Sequence, residues 1–161
     1  MATTRKTPAR KAPAAKAQDA IAMLRADHKK VSGLFADFEK SRSTAKKKTI
    51  VTTICDELTV HAQLEEEIFY PAVKAALKDR ELVPEATVEH ATVKDLIGQL
   101  KGVEPDGEMY DAKVKVLSEY VKHHVKEEQN EMFVRAKKTR VDMTELGARM
   151  AARKSQLLGG M

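Results

Sequence analysis

The sequence predicts an all-α fold: an antiparallel up-down four-helix bundle, followed by a short extra C-terminal helix and preceded by a disordered basic tail. Three observations carry this reading. Aromatic residues are only 4% of the chain and Trp is absent, so the core must be built from aliphatic side chains on good helix formers. Apolar residues recur at alternating steps of three and four along four long segments, the spacing of one buried helix face. The second pair of segments also repeats the first.

Residues 1–17, MATTRKTPARKAPAAKA, hold five basic residues, no acid and, beyond Met1, no large apolar side chain, too little burial to offset the entropy of folding. The chain has 29 Lys and Arg against 24 Asp and Glu, a formal charge of +5. The excess therefore lies in this tail, and the remaining residues are neutral. From Asp19, a suitable N-cap, the stripe Ile21, Leu24, His28, Val31, Phe35 and Phe38 predicts a helix over 19–40. After the polar KSRSTAKK connection, Ile54, Leu58, His61, Glu65, Ile68 and Ala72 predict a second over 45–78, with Pro71 expected to bend or weaken its last turn. Pro84, suited to a helix start, opens a third stripe of Ala86, His90, Val93, Ile97 and Leu100. That helix spans 84–101 and stops at Gly102. A fourth stripe, Lys113, Leu117, Val121, His124, Glu128 and Met132, spans 109–138. Asp142 and Glu145 form a capping-box pair ahead of Leu146, Met150 and Leu157, which predicts a shorter fifth helix ending at Gly159. The domain organisation is thus a tail over 1–17, a bundle over 18–138 and a helical extension over 139–161.

The two halves superpose. Ile54, Leu58, His61 and Glu65 match Leu117, Val121, His124 and Glu128 at an offset of 63, while Asp27-His28, Val31, Leu34, Phe35 and Phe38 match Glu89-His90, Val93, Leu96, Ile97 and Leu100 at 62. The unit is a helix with one His, a loop, and a helix with His-x-x-x-Glu. Two such hairpins pack naturally as a pseudo-twofold bundle.

Residues four apart on a helix lie about 40° around the axis and about 6 Å along it. His61 with Glu65, and His124 with Glu128, therefore each present two ligand groups to one point on an apolar stripe. His28 and His90 lie on core-facing stripes as well. Four imidazoles and two carboxylates would meet in one interior, where an unpartnered polar group costs on the order of 1–3 kcal/mol. One or two metal ions would satisfy all six, and a mixed His and carboxylate set suits iron or manganese. His123 points about 100° away from His124, so it and Glu127 fall on the flank.

At these residues the chain resembles the hemerythrin-like HHE cation-binding family, through the segments RADHKKV, HAQLEEEIFYPAV, VEHATV and HHVKEEQNEMF, over about 18–138. The resemblance implies a four-helix bundle enclosing a non-haem di-iron centre. It assigns His28 and His61 to one iron, His90 and His124 to the other, and Glu65 and Glu128 as bridges. Oxygen-carrying members place a second His four residues after the third-helix ligand, where this chain has Lys94. That departure favours redox chemistry or sensing of oxygen, peroxide or nitric oxide over reversible oxygen carriage, and leaves Glu66 as a candidate extra ligand. Gln129 and Val134 stand where the first half has Glu66 and Pro71, so the two irons are expected to be inequivalent. Tyr70 and Phe133, nine residues after His61 and His124, read as walls of the metal pocket.

Other classes are excluded by the residues. None of the five histidines has a Glu three residues before it, as ferritin-like sites need, and there is no Gly-rich phosphate loop, His-Glu-x-x-His motif or nucleophile signature. The single Cys55 lies in an apolar stretch, which suits a packed thiol. No apolar run reaches the roughly 18 residues of a membrane span and no secretory h-region is present, so a cytoplasmic protein is expected. Two further functions follow from the same residues. One is iron storage or iron sensing. The other is a DNA-associated stress protein whose tail makes weak, sequence-independent phosphate contacts.

Overall fold

The computed structural model describes residues 18–160, and every regular element among them is helical. The basic tail over 1–17 lies outside the described residues. Helix α1, Ala20–Lys40, starts where the Asp19 carboxylate accepts from the Ala22 N–H at 2.8 Å. It turns at Ser41 into α2, Thr44–Leu64, which is capped by the Ser43 hydroxyl. Helices α3, Tyr70–Leu77, α4, Leu82–Leu100, α5, Glu108–Glu127, α6, Phe133–Lys137, and α7, Met143–Gly159, follow.

Two departures from the expected elements shape the interior. The helices expected over 45–78 and 109–138 are each widened by one π-turn, Glu65–Phe69 between α2 and α3 and Glu128–Met132 between α5 and α6. In each, an N–H reaches back five residues, Tyr70 to the Glu65 carbonyl and Phe133 to the Glu128 carbonyl. Pro71 does not account for this, because the second half forms the same turn with Val134 in its place. The turn instead re-aims side chains. In an unbroken α-helix Tyr70 would sit about 140° around the axis from Glu65, whereas here both are buried. Beyond the first π-turn the stripe shifts, burying Val73 where Ala72 was expected; separately, in the regular part of α5, Val114 is buried rather than Lys113. The third long helix also starts at Leu82 rather than at Pro84. The Asp79 carboxylate accepts from the N–H groups of Glu81, Leu82 and Val83, and Pro84 fits within the first turn because an N–H there has no intrahelical partner.

Helix α1 packs along α2 and α4 along α5; α2 touches α4, and α7 lies across α1 and α2. Gly147 permits this last contact: a Cβ there would stand 2.2 Å from the Gln18 carbonyl oxygen. Leu146 and Met150 are then sealed against the first helices.

The apolar core is in two parts. One cluster gathers Leu24, Leu64, Phe69, Val73, Ala86, Phe133 and Met150. The other gathers Val31, Phe35, Ile54, Leu58, Val93, Ile97 and Leu117, with Cys55 packed among them; burial pushes that thiol up to about 11, so it is a neutral packing group. Along each helix the candidate ligands fall between the two clusters. His28 follows Leu24 and precedes Val31, and His90 follows Ala86 and precedes Val93. A polar layer thus lies across the middle of an aliphatic interior, fixed on both sides by packing.

Candidate metal centre

All six sequence-predicted residues come together in this layer. His28, on α1, and His61, on α2, hold their Nε2 atoms 3.2 Å apart, and so do His90, on α4, and His124, on α5. The two carboxylates link the pairs. Glu65 Oε1 lies 2.9 Å from His61 Nε2 and 3.3 Å from His90 Nε2. Glu128 Oε1 lies 3.1 Å from His28 Nε2, and its Oε2 lies 3.2 Å from His124 Nε2. Two triads result, His28, His61 and Glu128, and Glu65, His90 and His124, with the donor atoms of each within 4.8 Å of one another.

The outer ring nitrogens explain how the imidazoles are held. His61 Nδ1 faces Asp27 Oδ2 at 3.0 Å, His28 Nδ1 faces Gln129 Oε1 at 2.9 Å, and His124 Nδ1 faces Glu89 Oε1 at 3.3 Å. The fourth, His90 Nδ1, has Glu66 Oε1 at 3.7 Å. The acceptors outside His28, His61 and His124 favour the tautomer with Nδ1–H, which turns their Nε2 lone pairs inward, whereas His90 Nδ1 is buried without a hydrogen bond. Facing lone pairs repel unless a proton or a cation lies between them. Both oxygens of Glu65 and Oε1 of Glu128 are buried without a hydrogen bond despite these short separations. Inward nitrogens and orphaned carboxylate oxygens are the donor set a hard or borderline cation requires, so the residues fit a metal.

Charge tells the same story. Burial disfavours a charged His61, but the neighbouring Glu65 charge and the Asp27 hydrogen bond raise it to about 10. Burial likewise opposes charge on His124, and its contacts with Glu128 and Glu89 raise it to about 11. Glu128 is held well below the usual carboxylate range, because its contacts with Glu65, His124 and His28 outweigh its burial. In the metal-free protein, protons on His61 and His124 therefore take the place a cation would occupy.

The surrounding residues repeat the duplication. Asp27 and Glu89 precede His28 and His90 in sequence but serve the other histidine of each pair; Gln129 and Glu66 follow the two interior glutamates. The sequence signal of this role is the acceptor that precedes the histidine in both halves, in Asp27-His28 and Glu89-His90. Asp27 is in turn held by Lys154, whose Nζ donates to Oδ1 at 3.0 Å, so α7 reaches the centre. Glu66 turns outward: both its oxygens accept from Lys94 at 2.8 Å. His123 is exposed and pairs with Glu127 on the flank, as expected.

The aromatic walls differ between halves. Phe133 stacks parallel to His28 with ring centroids 6.0 Å apart. Tyr70 donates its hydroxyl to Glu128 Oε2 at 2.6 Å. Burial and the two glutamate charges keep that phenol well above its ordinary range. On the other side of the layer a small cavity opens, bounded by the four histidines and by Val31, Leu58, Val93, Val121 and Val125. Apart from the histidines and Asp27, its lining is aliphatic.

Comparison with known proteins gives three findings. A family model described as Hemerythrin HHE cation binding domain matches residues 19–136. A crystal structure of a hemerythrin HHE cation binding domain-containing protein from Mycobacterium kansasii superposes with a TM-score of 0.74, at 26% identity and covering 89% of each chain. A protein named DNA nickase from Nostoc sp. is 31% identical over 111 residues, which are 69% of this chain; the match spans 31% of that longer protein.

Proposed function

The chain belongs to the hemerythrin HHE cation-binding family, and on that premise we propose that it is a non-haem di-iron protein which binds or senses oxygen, peroxide or nitric oxide, with slow peroxide turnover. The observation that carries the reading is the pair of triads joined by Glu65 and Glu128. His28 and His61 would hold one ion, His90 and His124 the other, and the two carboxylates would bridge them. Bound iron would supply one-electron chemistry and a coordination position for a small oxidant. The chain's own residues do the rest. Asp27, Gln129 and Glu89 fix three ring orientations, and the two apolar clusters keep bulk water from the layer. The cavity admits a ligand of diatomic or peroxide size, and its lining apart from the four histidines and Asp27 is apolar. Lys94, exposed and bound to Glu66, supplies no further donor, which fits turnover or sensing better than reversible carriage.

In this proposal the long helices form an antiparallel up-down bundle over 18–138, with 139–161 as an extension that reaches Asp27. A cytoplasmic setting goes with it; among the described residues no helix is long and apolar enough to cross a membrane. The test is metal content per chain after growth with iron, together with the visible spectrum before and after hydrogen peroxide. Two irons and a spectrum that responds to peroxide are expected. Stoichiometric iron with no response to peroxide, oxygen or nitric oxide would leave iron storage or sensing instead, and one zinc would refute the di-iron assignment.

A second reading rests on charge. All of the net charge resides in residues 1–17, suited to salt-sensitive contact with phosphates, and the Nostoc relative carries a DNA-linked name. If the tail carries the chain to DNA, deleting residues 1–17 removes retention on DNA at low salt. Unchanged retention disposes of the idea.

A further inference from the structure

The duplicated centre is unequal at one interior position. Nine residues after His124 stands Phe133, which offers its half only a ring face. Nine residues after His61 stands Tyr70, 2% exposed, and its hydroxyl oxygen lies 3.2 Å from His90 Nε2, 3.2 Å from His124 Nε2 and 2.6 Å from Glu128 Oε2. A tyrosine that only fills a core needs one partner for its hydroxyl. This one is directed at the point on which three donor atoms already converge. The π-turn puts it there, since without the extra residue the ring would leave the face that carries Glu65. Its body packs in the same apolar cluster as Phe69 and Val73, whereas the cavity over the histidines is walled by Val31, Leu58 and Val93 of the other cluster. The hydroxyl therefore approaches the centre from the side opposite the cavity and leaves that opening clear.

We propose that Tyr70 is itself a metal ligand, its phenolic oxygen binding the cation held by His90 and His124, so that the two metal positions are chemically distinct. The inference rests on the dinuclear reading above. On binding, the Tyr70 O–H bond breaks, an oxygen–metal bond forms, and the proton leaves to solvent; no electron changes hands. A phenolate is a hard, anionic oxygen donor, so it selects ferric iron at this position over softer or less charged ions. The His28 and His61 position, faced by Phe133, has no counterpart to it.

The experiment uses full-length protein loaded with iron and oxidised in air, alongside Tyr70→Phe, which installs the residue the other half already carries. Iron per chain, visible absorption and resonance Raman spectra are measured on both. The expected result is two irons in each protein, with a visible phenolate-to-iron band and enhanced tyrosine ring vibrations in the unaltered chain, both lost entirely in the variant. Iron binding with identical visible spectra, or an unaltered chain lacking the ring vibrations, overturns the ligand assignment and leaves the dinuclear reading standing. Failure of the unaltered chain to bind iron overturns both. The Raman spectrum of the unaltered chain decides the matter by itself should the variant lose its metal.

Discussion

Glu65→Gln separates a shared bridge from a single-site ligand. Glu65 Oε1 stands 2.9 Å from His61 Nε2 and 3.3 Å from His90 Nε2, so it contacts a histidine of each pair, whereas His28 belongs to one triad alone. Losing a charged contact is worth about 1.5–3 kcal/mol, and Glu65 has one at each position. Affinity for each ion should fall about 10- to 100-fold. At free ferrous iron of about 100 times the dissociation constant, each occupied site stabilises the unaltered chain by about 2.7 kcal/mol, or roughly 5–10 °C in Tm. In Glu65→Gln that gain shrinks to roughly 0.4–1.4 kcal/mol per site. The metal-free variant should melt below the parent, because the substitution leaves the buried His61 imidazolium, 2.9 Å from Glu65 Oε1, without that carboxylate charge. Equilibrium dialysis against anaerobic ferrous iron, with metal analysis and melting curves, reads all three quantities. His28→Ala should retain one ion under conditions where Glu65→Gln retains neither. Parent-like affinity at either position in Glu65→Gln, or loss of both ions in His28→Ala, would refute the bridging argument.

Asp27→Asn leaves His61 Nδ1 without its carboxylate partner, and metal affinity should fall about 10- to 100-fold; Lys154→Met should move it in the same direction by less, and a competition titration with a chelator ranks the two. Gly147→Ala drives a methyl into the backbone at Gln18 and should cost about 1–3 kcal/mol, a Tm drop of roughly 2–10 °C by calorimetry, with no change in metal stoichiometry. The metal-free protein should also lose stability as pH rises. His61 and His124 are raised to about 10 and about 11 when folded from about 6.5 unfolded, so the folded state binds the extra protons. Their contribution is complete below pH 6.5 and is lost as pH climbs through 10 to 11. Melting curves of chelator-treated protein from pH 6 to 10 check the slope, and a flat or rising profile would contradict it.

The six interior residues were legible because helical periodicity is a local property. His61 with Glu65, and His124 with Glu128, share a face through rise and twist alone, and the apolar residues between them say which face is buried. Duplication then turned four separate histidine positions into one constellation. Sequence could not give the π-turns, because the N–H of Tyr70 reaches the carbonyl of Glu65 with no residue type in either half that demands it; the same turn forms over Glu128 with Val134 in place of Pro71. What favours it is the interior that results, in which a carboxylate and an aromatic ring five residues later face inward together. The start of α4 likewise depended on Asp79 capping from outside the apolar stripe. The outer partners were invisible for a related reason. Asp27 serves His61 and Glu89 serves His124, across 34 and 35 residues, and no local pattern reports which side chains meet between helices. The same holds for Lys154 of α7 on Asp27 and for the Tyr70 hydroxyl among His90, His124 and Glu128. Local sequence thus determined which residues each helix turns inward, while packing of one helix against another decided which of them touch.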